Sequence, residues 1–251
     1  IQVCATTGCA ADLLQCGART IHSWAGIGLA GGTVQEEVNK VASRKQKQSN
    51  WKKTNILVID EVSMMSAKLL HILDLIARRV KTPLFPFGGI QLLLFGDFYQ
   101  LPPVGDKDDP ESVQYAFEYG RWTELIKETI VLKTTFRQSD PLFIKTLHQI
   151  RIGKLSQSCY QKLLSRVNIE MTVPEGISPT RLLPLKRHVN AINQAHMKAL
   201  ETEAHTYVLS HFVEKTESKD TPSTGTIDYE HSYLTSSCLC EKELTLKTGA
   251  Q

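Results

Sequence analysis

The apolar positions of this chain fall into two patterns that alternate along it. Residues 56–59 (ILVI) are apolar without interruption and run directly into two carboxylates, Asp60 and Glu61. An unbroken run of that length reads as a strand buried on both faces, as in a parallel sheet with helices on either side. Residues 90–95 (IQLLLF) read as a second such strand, and residues 1–5 as a third. Between the first two, Leu69, Leu70, Leu73, Ile76 and Val80 recur at helical spacing, which predicts an amphipathic helix within 63–80. Pro83, Pro86 and Gly88-Gly89 break it.

The same reading continues at both ends. Thr6-Thr7-Gly8 forms a turn into a helical run at 10–16. Helices are expected at 122–126, 142–152 (closing at Gly153), 160–167 and 188–200, with short strands at 129–132, at 179–185 and from 244. Residues 217–226 (ESKDTPSTGT) read as a polar loop. Strands that alternate with helices place the chain in the α/β class.

Composition narrows this modestly. With 251 residues, two compact domains fit, and 41% apolar with 22% charged residues is ordinary for a globular protein. A net charge of +3 is compatible with a nucleic-acid partner and is weak support for one. The six cysteines include no Cys-x-x-Cys pair, so reduced thiols in an intracellular protein are expected rather than a zinc site, and Cys238-x-Cys240 reads as incidental. Every apolar run is too short to span a membrane, so no membrane partner is expected.

The candidate chemistry gathers where parallel strands end. In such sheets the carboxyl ends of the strands carry the site. Asp60 at that place suits a magnesium ion held against nucleotide phosphates, and Glu61 suits the orientation of an attacking water. Gln100, in the segment GDFYQLPP after the 90–95 run, is a neutral hydrogen-bonding group near the same sheet edge. Thr6, Thr7 and Gly8 lie at a strand-to-helix turn, a place for a phosphate or an ordinary turn. His22 beside Trp24 is a phosphate contact with a base stack, or core packing. The acid-free stretch 38–54, with Lys40, Arg44, Lys45, Lys47, Lys52, Lys53 and Trp51, is a nucleic-acid-binding arm or a solvated helix face. Arg137, after the expected strand at 129–132, reaches a phosphate or makes a surface ion pair.

Taken in order, the segments ATTGCAA (5–11), TIHSWAGIGL (20–29), VIDEVSM (58–64), PFGGIQLLLFGDFYQLPPV (86–104), TFRQ (135–138) and LKTGAQ (246–251) resemble the Pif (petite integration frequency) family of superfamily-one DNA helicases, relatives of the RecD helicases. The resemblance implies two RecA-like domains, each a parallel sheet flanked by helices and both incomplete: 1–128, with 28–53 as a small inserted arm, and 129–251. It implies a magnesium- and ATP-dependent motor that moves 5′-to-3′ on single-stranded DNA. Such a motor opens duplexes, junctions and G-quadruplexes in repair, recombination and telomere maintenance. Position by position, Asp60 would bind magnesium, Glu61 would activate water, Gln100 would sense the γ-phosphate, and Arg137 would be an arginine finger. Thr6, Thr7, Gly8, His22, Trp24, Pro102 and Pro103 would contact DNA. A monomeric motor in the nucleus or mitochondrion is the corresponding expectation.

One departure matters. The chain contains no Gly-x-x-Gly-x-Gly-Lys-Ser/Thr loop, the segment that cradles nucleotide phosphates. It therefore reads as an internal fragment, itself inactive, of a longer helicase. Two alternatives stay open: a catalytically dead DNA-binding remnant, and a different nucleotide-dependent enzyme, such as a clamp loader, that shares the Asp-Glu strand.

Overall fold

The computed structural model describes residues 1–106, 108–169, 177, 179–209 and 243–250; the loop expected at 217–226, Cys238, Cys240 and Gln251 lie outside them. The chain forms two compact units, Ile1–Val167 and Asn168–Gln251.

The first unit is built on four strands, β1 (Gln2–Ala5), β2 (Arg19–Thr20), β3 (Ile56–Asp60) and β4 (Gln91–Leu94). They lie in the order β2-β1-β3-β4 and all pair in parallel. Ala5 pairs with both Thr20 and Asp60, and Ile59 with Leu94, so every strand reaches its carboxyl end at one sheet edge. The expectation of a strand buried on both faces is corrected. Leu57 and Ile59 are fully buried, whereas Ile56 and Val58 on the other face are half-buried.

The buried face carries the core. Helix α1 (Gly8–Leu13) follows β1, and α2 (Ile21–Ala25) follows β2 without a break. Two further helices, α3 (Val34–Ala42) and α4 (Lys45–Lys53), precede β3. Helix α3 starts with a capping box in which Thr33 and Glu36 satisfy each other's backbone amides. After a 3-10 turn at Val62–Met64, α5 (Ala67–Val80) begins under the Ser66 cap. Leu69, Leu70, Leu73, Ile76 and Ala77 of α5 join Trp24, Trp51, Leu57, Ile59 and Phe87 in one cluster. Each large side chain there contributes ~1.5–3 kcal/mol over an exposed position.

Stretch 38–54 lies largely within α3 and α4, which leaves both readings of its exposed lysines open. Lys45, Lys52 and Lys53 are exposed, but Trp51 is buried, 4.5 Å from Trp24, and donates through Nε1 to the Ala25 carbonyl at 3.1 Å.

Short helices α6 (Pro110–Val113) and α7 (Trp122–Leu125) follow, then α8 (Pro141–Arg151) and α9 (Gln157–Leu164). Residues 129–132 are not a strand but irregular chain, with Ile130, Val131 and Leu132 exposed. The stretch 179–185 is likewise irregular. Both carry strand-forming side chains, but neither finds a neighbouring ladder among the described residues, and backbone pairing is what makes a strand.

In the second unit, α10 (Lys186–Ala199) is followed by β5 (Ala204–Val208), which pairs antiparallel with β6 (Glu243–Lys247). The sheet described in this unit is thus a two-stranded antiparallel ribbon, not a parallel one.

Candidate functional site

The carboxyl edge of the sheet converges on Asp60 and Glu61. Asp60 is half-buried, and its Oδ1 accepts from the Glu61 amide at 2.9 Å. Its Oδ2 accepts no hydrogen bond among the described residues. One oxygen fixes the carboxylate, which leaves the other to accept from a ligand. Magnesium in nucleotide sites takes one or two protein carboxylates, with phosphates and waters completing the shell. This carboxylate fits that role, and no cluster of three or more metal-ligating side chains occurs among the described residues.

Glu61 leaves the strand in a left-handed conformation, φ 56° and ψ 43°. A non-glycine residue there costs of order 1–3 kcal/mol and persists only where its surroundings hold it. They do so on both sides. Thr6 Oγ1 donates to the Glu61 carbonyl at 2.9 Å, the Thr6 amide donates to the Asp60 carbonyl at 3.2 Å, and the Val62 amide donates to the Phe95 carbonyl at 2.9 Å. The twist lifts Glu61 out of the strand's alternation beside Asp60.

The chain after β4 is pressed against this turn. Gly96 has φ 151°, and a Cβ there would lie 2.8 Å from the Val62 amide nitrogen, so only glycine fits. Asp97 then organises the loop: its carboxylate accepts from the Tyr99 amide at 3.1 Å, and its carbonyl accepts from the Gln100 amide at 2.8 Å. Arg151 of α8 forks onto the carboxylate at 2.6 and 2.7 Å and lies 4.4 Å over the Tyr99 ring. Arg151 is the first cause of an Asp97 pKa below the ordinary 3.8, with the Tyr99 amide and the Gln100 side chain adding to it. Phe98 points the other way, edge-on to Tyr115, Phe117 and Trp122. Gln100 is exposed at the end of this loop.

The expected DNA contacts divide. Thr7 is the N-cap of α1, accepting from the Ala10 amide at 3.2 Å, and the Thr6 hydroxyl is engaged with Glu61. The Thr6 hydroxyl is thus committed within the chain, whereas the Thr7 hydroxyl accepts at the cap and keeps its O–H to donate to a ligand, beside exposed Gly8 and the first-turn amides of a short helix. Trp24 does not offer a ring face to a base: it is 1% exposed against Trp51, so its place in the segment is to anchor α2. His22 is half-buried, and burial lowers its pKa below 6.5, which leaves it neutral at pH 7. It can donate one hydrogen bond to a phosphate but brings no charge. Pro102 is exposed, whereas Pro103 is buried and holds the loop rather than a ligand.

Arg137 is exposed in irregular chain and makes no hydrogen bond to Asp60, Glu61 or Gln100. The structure thus brings Asp60, Glu61, Thr6 and the loop bearing Gln100 together and does not bring Arg137 to them. Sequence reading missed Asp97 and Arg151. Asp97 stood inside a quoted motif, but its partner lies 54 residues away, beyond any local pattern.

Comparison with known proteins places these features. Residues 1–160 match the PIF1-like helicase family. The ATP-dependent DNA helicase RRM3 of Saccharomyces cerevisiae is 40% identical over 80% of this chain and 27% of its own length. The ATP-dependent DNA helicase PIF1 of Emericella nidulans is 36% identical over 100% of the chain and 32% of its own length. The chain therefore spans about a third, or less, of these relatives. Among solved structures, the Pif1 helicase from Candida albicans superposes with a TM-score of 0.76 at 32% identity, covering 98% of this chain and 53% of that one. A Bacteroides Pif1 helicase in complex with ADP-AlF3 and single-stranded DNA gives 0.69 at 25% identity, covering 98% and 53%.

Proposed function

The chain belongs to the PIF1-like helicase family, and from that premise we propose that its parent protein is an ATP-driven DNA helicase whose hydrolytic centre is the Asp60–Glu61 edge. The observation that carries the reading is Glu61 held in a left-handed turn beside a carboxylate with one committed oxygen and one open one. Phosphoryl transfer to water needs an oriented nucleophile and neutralised charge more than covalent chemistry. Asp60 would hold the magnesium of a bound nucleotide, which would supply charge neutralisation at the phosphates. Glu61 orients the water and takes its proton, and Gln100 reads the γ-phosphate from the neighbouring loop. Arg137 completes the site from the segment before α8; the proposed domain division, 1–128 (with 28–53 as its inserted arm) and 129–251, falls earlier in the chain than the division between the two compact units at 167/168.

The reading requires a glycine-lysine loop, which these 251 residues do not contain, and the chain spans about a third, or less, of its relatives' length. Strand β4 is an edge strand of the described sheet, with Phe95 half exposed. Single-stranded DNA and junctions are the partners, met at Thr7, Gly8, His22 and Pro102. Backbone contacts there give a salt-sensitive, sequence-tolerant grip. Relatives named for ATP-dependent DNA unwinding support the reading, and so does a neighbour bound to single-stranded DNA. A monomeric 5′-to-3′ motor that also opens G-quadruplexes, serving repair, recombination and telomere maintenance in the nucleus or mitochondrion, completes the proposal.

The test is strand displacement by the full-length parent on forked duplexes with either a 5′ or a 3′ single-stranded tail. ATP-dependent opening confined to the 5′-tailed substrate is expected. Opening of the 3′-tailed substrate alone overturns the direction, and binding without opening of either favours a DNA-binding remnant.

A further inference from the structure

Gln100 sits exposed on an irregular loop, yet a γ-phosphate sensor works only when its amide is held within about half an ångström of the productive position. The first half of the loop is held by Gly96 against the Glu61–Val62 turn and by Phe98 among the aromatic rings. The aromatic nest is in turn fixed to the start of α5, where Ser66 and Tyr115 form a bridge and the Ala67 amide donates to the Gln114 carbonyl at 3.0 Å.

The second half is held from α8. Arg151 grips both oxygens of Asp97 through Nε and a terminal nitrogen and covers one face of Tyr99. Asp97 is thus a junction, with the arginine fork on one side and the Tyr99 amide, the Gln100 amide and the Gln100 side chain on the other. A fork combined with a ring stack fixes position in a way a single lysine contact does not. At 42% and 21% exposure, the Arg151 and Asp97 side chains form a surface pair, which adds little to folding. Stability therefore does not account for this geometry, and positioning does.

We infer that Arg151 is a positioning residue for nucleotide sensing: through its fork on Asp97 and its stack on Tyr99, α8 sets the orientation of the Gln100 amide. Helix α8 begins four residues after Arg137, so the pair ties the chain segment bearing Arg137 to the loop bearing Gln100. The inference rests on the reading of Gln100 as the γ-phosphate sensor.

A cycle of four full-length proteins tests it: wild type, Arg151→Ala, Gln100→Ala and the double variant, assayed for steady-state ATP hydrolysis with saturating single-stranded DNA. Arg151→Ala is expected to lower kcat on the order of tenfold to a hundredfold, with KM for ATP changed less than about threefold. In the Gln100→Ala background the same change should cost less than about twofold, because the two act through one path. Arg151→Lys, which keeps the charge without the fork, should resemble Arg151→Ala more than wild type, and replaces it in the cycle if the alanine variant does not fold. The thermal midpoint should not move. Full additivity in the double variant, full rescue by lysine, or a kcat loss that follows a lowered thermal midpoint overturns the inference. So does a Gln100→Ala protein with wild-type kcat. In that case Glu61→Gln, run alongside, shows whether Gln100 alone or the whole reading of the site fails with it.

Discussion

Two aspartate–arginine pairs in the first unit are chemically alike and do different work. Asp74 is fully buried on α5. Its carboxylate accepts Arg78 Nε at 2.9 and 3.0 Å, the Phe87 amide at 2.9 Å and the Tyr119 hydroxyl at 3.0 Å. Burial, followed by the Asp74 charge and hydrogen bond, pushes the Tyr119 pKa well above its ordinary value of 10.0. Asp97 faces solvent, and its partners belong to one loop and one distant helix. In a dry site a carboxylate must have every lone pair answered, so Asp74 welds α5, the 3-10 turn at Pro86–Gly89 and the chain at Tyr119 into one body. At the wet edge water answers whatever the protein does not, so the Asp97 pair can be broken without unfolding anything. Location, not chemistry, separates a structural pair from a positioning one.

The sharpest way to break the comparison is Asp74→Ala. Removing one partner of a buried pair costs about 3–5 kcal/mol, and urea unfolding of the chain should show it as a lower midpoint with unchanged slope. A loss like that of an exposed pair would erase the distinction. Gly88→Ala tests the same weld through the backbone. A Cβ at Gly88, where φ is +60°, collides with the Ala77 carbonyl of α5, and overpacking with backbone strain should cost about 1–3 kcal/mol in the same measurement. Asp97→Ala should cost less than about 1 kcal/mol of stability while the parent's ATP turnover falls.

The smallest effect is that of pH. The Asp97 pKa is lowered by Arg151, so the pair's contribution is complete above about pH 3.8 and is lost only as pH falls through the lower folded value. His22 is lowered by burial, so the folded state favours its neutral form. Its contribution is present above 6.5 and declines as pH falls below that toward its folded value. Urea midpoints between pH 8 and pH 5 should fall slightly on the acid side, and His22→Gln should flatten that slope while Asp97→Asn leaves it unchanged.

What the sequence disclosed follows physical range. Strands β1, β3 and β4 and helices α5, α8 and α10 were legible because local periodicity defines them. Asp60 and Glu61 were legible because a strand end in a parallel sheet fixes where they sit. The expected strands at 129–132 and 179–185 failed because β-forming side chains do not supply a pairing neighbour. The residues around Trp24 leave core packing open, and only the resemblance assigns it to DNA; Trp51 stands in a stretch read as either an arm or a helix face. The helical phase of Ile21, Trp24 and Ala25 carried the inward signal. Asp74 with Arg78 had visible i, i+4 spacing, but Phe87 and Tyr119 did not announce themselves. Asp97 with Arg151 lay beyond any window.

The central claim is that Asp60 and Glu61 form the hydrolytic centre of the parent helicase. The measurement that meets it most directly is nucleotide binding and turnover, side by side, in full-length protein carrying Glu61→Gln. Retained ATP affinity with DNA-stimulated turnover reduced by about a hundredfold or more is the expected result. Turnover at the wild-type rate would contradict the account.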